Sequence, residues 1–144
     1  MDHNPDLFAH KVWISRCKKN SNFVVYCLFE NMKTKDLELH SLGKYKRGLL
    51  GLGEGVEEAL WFKKIALQVK IETIEGVDIR CGRDHTFISL NGNQQVYVLG
   101  CYDNETQAHE EVKFEPTLLK LHDQFDILKI GTESKNTAIV ARKK

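Results

Sequence analysis

Short apolar runs separated by turn-forming residues recur along the chain, and they recur in the same order. One set is Ile79-Arg80-Cys81, then Phe87-Ile88-Ser89-Leu90, then Val96-Tyr97-Val98-Leu99-Gly100. An earlier set is Ile14-Ser15-Arg16-Cys17, then Phe23-Val24-Val25-Tyr26, then Leu37-Glu38-Leu39-His40-Ser41-Leu42-Gly43. A third begins with Ile127-Leu128-Lys129-Ile130-Gly131 and Thr137-Ala138-Ile139-Val140. Runs this short between turn signals read as strands. They predict strands over 12–17, 23–29, 37–42, 77–81, 86–90, 95–99, 127–131 and 137–141. Phe87–Leu90 and Val96–Leu99 are almost unbroken apolar stretches, the pattern of strands covered on both faces. A β-rich unit that repeats points to an array, whose function lies in its surfaces.

The spacing sharpens the repeat. Cys81 follows Cys17 by 64 positions and Phe87 follows Phe23 by the same 64, so the first strand pair aligns without a gap. Gly100 follows Gly43 by 57, which places seven extra residues in the first hairpin turn, Glu30 to Asp36. The second turn, Asn91-Gly92-Asn93-Gln94, opens with Asn-Gly, whose two residues tolerate positive φ. Between the hairpins lie two irregular connectors. In Gly55–Lys70 a helical turn is expected first, then a short strand over Trp61–Ile65. In Ala108–Leu121, Pro116 suits an edge strand, where a missing N–H costs little. Residues 1–11 read as a poorly ordered lead.

At 144 residues the chain suits one domain. Its divisions are expected at 12–76, 77–125 and an incomplete 126–141. A net charge of +1 gives no strong pull toward nucleic acid or anionic lipid. No apolar run reaches spanning length, and the polar Met-Asp-His-Asn-Pro-Asp start is unlike a secretory signal, so a cytoplasmic or nuclear setting is expected. Cys17, Cys27, Cys81 and Cys101 form no CxxC pair and read as reduced, small apolar residues.

Several stretches resemble the regulator-of-chromosome-condensation repeat. Val77–Leu90, with Cys81-Gly82 and His85-Thr86, is similar to its opening, and Val96–Asn104 to its Val-Tyr-x-Trp-Gly-x-Asn stretch. Gly43-Lys44-Tyr45-Lys46-Arg47-Gly48-Leu49-Leu50-Gly51-Leu52-Gly53 resembles its glycine-rich tail, and Pro116-Thr117-Leu118-Leu119 its closing segment. The resemblance implies an all-β fold, a partial β-propeller of antiparallel blades with about two and a half repeats. It gives structural repeat positions to Gly43, Gly48, Gly51, Gly53, Cys81, Gly82, His85, Thr86, Gly100 and Gly131. His85 and Thr86 are expected to bond backbone at the buried inner end of a blade.

Chemistry is sparse. No second ligand stands at a metal spacing from His85. The Gly48–Gly55 loop lacks the Gly-Lys-Ser/Thr ending of a phosphate cradle. Asp84 and His85 are strand neighbours and point to opposite sides. No catalytic set, metal or cofactor is therefore expected. The expectation is a protein-interaction scaffold, a piece of a larger propeller or a subunit that completes its core against other protein chains. Lys44, Tyr45, Lys46 and Arg47 are candidates for an acidic protein surface, and Trp61 and Phe62 are candidate aromatic anchors. The alternative the resemblance implies is a regulatory propeller, either promoting guanine-nucleotide exchange on a small GTPase or recruiting ubiquitin-ligase substrates.

Overall fold

A computed structural model describes residues 4–16, 22–45, 47–101, 112–119, 124–133 and 136–144. These form ten strands and no helix: β1 (Leu7–Arg16), β2 (Phe23–Asn31), β3 (Leu37–Lys44), β4 (Glu58–Lys64), β5 (Asp78–Cys81), β6 (His85–Leu90), β7 (Gln95–Cys101), β8 (Val112–Leu118), β9 (Phe125–Glu133) and β10 (Asn136–Lys143). They make three antiparallel sheets, ordered β1-β2-β3-β4, β5-β6-β7-β8 and β10-β9, none closed into a barrel.

The strands expected from the apolar runs are present, with shifted ends. Residues 7–11, expected as a loose lead, are the first half of β1. Lys11 fixes them by donating from Nζ to the Val77 carbonyl at 3.0 Å. No helical turn follows Gly55; the chain turns at Glu54-Gly55 and extends into β4. Pro116 lies in the edge strand β8, as its missing donor requires. The Asn91–Gln94 turn has positive φ at Asn91, Gly92 and Asn93.

The second sheet is packed on both faces. Toward the first sheet, Ile79, Ile88, Leu90, Tyr97 and Leu99 meet Val24, Tyr26, Leu28 and Leu39. Toward the third, Phe87, Val96 and Val98 meet Ile127, with Ile130 and Ile139 against them. The six residues of β6 are all buried, which accounts for its unbroken apolar run. The connector after β3 supplies the rest of the larger core. Leu49 and Leu50 are fully buried, and their carbonyls accept from Tyr26 Oη (2.5 Å) and Ser41 Oγ (2.6 Å).

The first and second sheets share a hairpin register, displaced from the sequence match. Under the 64-residue offset the first hairpins do pair alike, Arg16 with Phe23 and Arg80 with Phe87. The faces disagree. Tyr26 and Val24 look toward the following sheet, as do Phe87 and His85, whereas Ile88 looks back. The bulge glycines give the correct anchor: Gly43 pairs with Val24, Gly100 pairs with His85, and each follows a register shift in the next ladder. Val24 therefore matches His85, Tyr26 matches Phe87, and the counterpart of Cys81 is Ile14. Cys17 itself lies outside the described residues. On this match the first hairpin exceeds the second by four residues, not seven. Two of them lengthen the connection and two add a rung to the ladder.

From the second sheet to the third the His-Thr position holds, Thr137 matching Thr86, but Gly131 takes the place of Arg80 and not that of Gly82. Ile79 pairs with Ile88 and Ile130 with Ile139, while Cys81 pairs with Thr86 and Thr132 with Thr137.

Candidate interaction surface

Successive sheets are tied by side chains at equivalent places. Thr86 turns toward the first sheet, where its Oγ1 lies 3.1 Å from Tyr26 Oη. Thr137, its counterpart, turns toward the second sheet and lies 2.8 Å from His85 Nε2. Because strand neighbours alternate sides, His85 and Thr86 reach opposite sheets from adjacent positions. Both are buried, as expected, and these bonds run to side chains of neighbouring sheets. Burial holds the His85 imidazole below the ordinary histidine pKa, against the opposing pull of Asp84, and raises the Tyr26 phenol.

The glycine positions divide. A Cβ on Gly82 would fall within 2.4 Å of the His85 ring, so glycine is what lets the imidazole lie against the chain. Gly48 and Gly51 have positive φ inside the buried loop, and a Cβ on Gly48 would come within 2.6 Å of the Lys113 carbonyl oxygen. Gly53 shares the positive φ and donates its N–H to Phe114. Gly131 is different. It sits in β9 with nothing within 4 Å of a built Cβ, so the expected structural need is absent there. Cys81 packs against the larger core, and burial pushes its thiol up to about 11 despite bonds to Thr86 and Ser15.

The proposed basic cluster does not form one surface. Tyr45 is buried, and its hydroxyl donates toward the Arg83 carbonyl (2.7 Å) and Asp84 Oδ1 (2.9 Å), which joins the first connector to the second sheet. It is a core tyrosine, not a docking anchor. Lys44 is exposed, Arg47 half-buried, and Lys46 lies outside the described residues. Trp61 is 40% exposed and Leu60 84% exposed on β4. Phe62 is half-buried, packing edge-on against Phe29 with ring centres 5.2 Å apart.

Phe62 belongs to a surface the sequence did not single out. The face of the first sheet turned away from the second carries Val12 and Ile14 of β1, Phe23, Val25 and Phe29 of β2, and Leu42 of β3. Val12 is 57% exposed and Ile14 67%. His40 lies on the same face, paired in register with Cys27. Its ring meets Phe29 at 4.9 Å, its Nε2 lies 3.0 Å from Glu38 Oε1, and its buried Nδ1 has no partner among the described residues. Burial lowers its pKa. Alternation along β1 and β2 was the available signal: Val12 and Ile14 pair with Cys27 and Val25 on the side opposite Trp13 and Tyr26.

Among the described residues no group of three or more His, Cys, Asp or Glu side chains is arranged to hold a metal ion, and no helix is long and apolar enough to cross a membrane. A cleft of about 220 Å³ lies between the second and third sheets, lined by Asp78, Arg80, Phe87, Ser89, Asn93 and Lys129 among others. Its polar groups are largely engaged with one another: Arg80 Nε bonds Asp78 at 2.9 Å, Ser89 bonds Asn93, and Asn93 Nδ2 donates to the Leu128 carbonyl.

The site is thus a stack of antiparallel sheets with one apolar face left uncovered among the described residues. Compared with known proteins, the chain matches no family model and no curated protein. Among solved structures it is similar to human WBSCR16, with a TM-score of 0.65 and 18% identity over 98% of this chain. The match spans 33% of the WBSCR16 chain, about a third of its length. At that identity the likeness is one of fold.

Proposed function

We propose that this chain is a segment of a β-propeller of the regulator-of-chromosome-condensation type and serves as a non-catalytic protein-interaction scaffold. The observation that carries the reading is the outward face of the first sheet. The equivalent faces of the second and third sheets are each covered by the sheet before them: Ile79 and Ile88 by the first, Ile130 and Ile139 by the second. In the first sheet the matching positions Val12, Ile14 and Val25 face outward with the same apolar character, beside a buried Cys27. Fully burying one such aliphatic side chain is worth about 1.5–3 kcal/mol relative to leaving it in water. A contiguous patch of them, with a buried imidazole nitrogen lacking a partner, marks a surface that another protein layer covers. The fold likeness to WBSCR16, of which this chain spans a third, supports the fold part of this reading alone.

The experiment places a photo-crosslinking residue at position 14 and, separately, at Lys33 in the exposed first turn. Adducts with a protein layer at position 14 but not at 33 are expected. Equal labelling at both sites, or a lone monomer that binds no apolar dye and forms no adduct at 14, overturns the reading.

A further inference from the structure

The second hairpin turn holds its neighbours on both sides. Asn93 Nδ2 donates to the Leu128 carbonyl of the third sheet, and Asn91 grips the connector that enters the second sheet. Asn91 Nδ2 donates to the Lys70 carbonyl at 3.1 Å and lies 3.0 Å from Gln95 Oε1, while its Oδ1 accepts the Glu72 N–H at 2.9 Å. The next residue continues the contact: Gly92 donates its N–H to the Gly76 carbonyl at 3.1 Å. The two segments lie close there, since a Cβ on Gly76 would come within 3.0 Å of Asn91 Cα and of the Gly92 nitrogen. Between these bonds the connector sends Ile71 into the larger core.

Asn91-Gly92 is the only Asn-Gly pair in the sequence. That dipeptide has a chemistry of its own, because glycine puts no side chain in the way of its nitrogen. The Gly92 nitrogen, on losing its proton, can attack Asn91 Cγ. The N–Cγ bond forms, the Cγ–Nδ2 bond breaks, and ammonia leaves with the proton. Water then opens the resulting cyclic imide at either carbonyl, which gives aspartate or isoaspartate.

We propose that Asn91 is a covalent modification site whose conversion to an acid unlatches the 70–76 connector from the second hairpin, and that the closed latch guards the site. The groups the reaction must free are held in the closed state. The Gly92 N–H is given to the Gly76 carbonyl, and the Asn91 amide is bonded through both its nitrogen and its oxygen. Cyclisation therefore follows a local opening. The product cannot restore the closed state. A carboxylate at position 91 still accepts from Glu72, but it has no N–H for the Lys70 carbonyl, and the two oxygens repel. Isoaspartate goes further, because it carries the backbone through Cβ and undoes the positive-φ turn. Opening is reversible before the reaction and lasting after it. The proposal stands apart from the scaffold reading, whose surface lies on the first sheet.

The test uses the intact chain with no added ligand. One sample is held in native buffer at mildly alkaline pH and another in concentrated urea at the same pH. Peptide mapping by mass spectrometry follows the acid content of position 91. Conversion should be at least tenfold slower in the folded sample. Amide hydrogen exchange by NMR in Asn91→Asp then reads the latch. Protection at Glu72 and Gly92 should fall at least threefold from that of the parent, with the β6–β7 ladder unchanged. Equal conversion in the folded and unfolded samples, unchanged protection at Glu72 and Gly92, or a loss of protection spread over all three sheets overturns the proposal. None of these outcomes touches the crosslinking result at position 14, so the two readings fail separately.

Discussion

Tyr26 and Thr86 share a buried hydrogen bond of 3.1 Å across the first and second sheets, and the same phenol donates to the Leu49 carbonyl at 2.5 Å. One side chain therefore holds two sheets and the loop between β3 and β4. A phenylalanine at this position would keep the ring and leave the Leu49 carbonyl and Thr86 without that partner. Tyr26→Phe should destabilise the chain by about 1–3 kcal/mol, the cost of stranding buried polar groups. The midpoint of urea unfolding, at constant slope, measures it; an unchanged midpoint would show that the bond contributes nothing.

Gly82→Ala should be comparably costly. The added methyl meets the His85 ring, which must then leave Thr137 or push the backbone aside. Overpacking of this kind costs about 1–3 kcal/mol. Gly131→Ala is the control, expected within about 0.5 kcal/mol of the parent because nothing crowds that position. Thermal unfolding of the two variants side by side should separate them clearly, and equal melting temperatures would remove the role given to Gly82.

Stability should fall on the acid side of neutrality. His40 and His85 both have folded pKa values lowered by burial. The unfolded chain then takes up protons that the folded chain refuses, so stability is full above about pH 6.5, the ordinary histidine value, and declines as pH drops below it. Urea midpoints at pH 7.5 and pH 5.5 test the sign. His85→Gln should flatten part of the slope between them; a steeper slope in that variant would contradict the assignment.

The thiols of Cys27 and Cys81 should be inert in the folded chain. Desolvation pushes both to about 11, so almost none is thiolate near neutral pH. Iodoacetamide at pH 7.5 is expected to leave both unmodified for hours, and to alkylate them promptly in concentrated guanidinium. Peptide mass mapping reads the two sites individually, and rapid native labelling of either would show that its surroundings open readily.

The strands and the order of the sheets were legible because short apolar runs and the Asn91-Gly92 turn carry their own geometry. The facing of the strands was not. A hairpin register depends on the sum of two positions. Sliding β1 three residues one way and β2 three the other preserves each pair and turns each side chain over. The Cys17–Cys81 and Phe23–Phe87 coincidences made that slide attractive. Gly43 and Gly100, whose crowding against a neighbouring carbonyl admits no side chain, were the anchors to follow. Tyr45 is hard to place from sequence for a related reason. Flanking charges suggested solvent, yet its ring closes the seam between connector and second sheet. The apolar face of Val12 and Ile14 was hidden because alternation shows that a strand has two sides but not which one a neighbour will occupy.

Leu49 and Leu50 leave the first sheet and finish the hydrophobic interior shared with the second, while Gly48 and Gly53 lean on β8 at that sheet's far edge. A natural module boundary therefore does not fall between sheets. Anyone trimming, grafting or shuffling pieces of this protein should keep the loop between β3 and β4 with the second four-stranded layer, since that layer taken without it would arrive with a hole where two leucines belong.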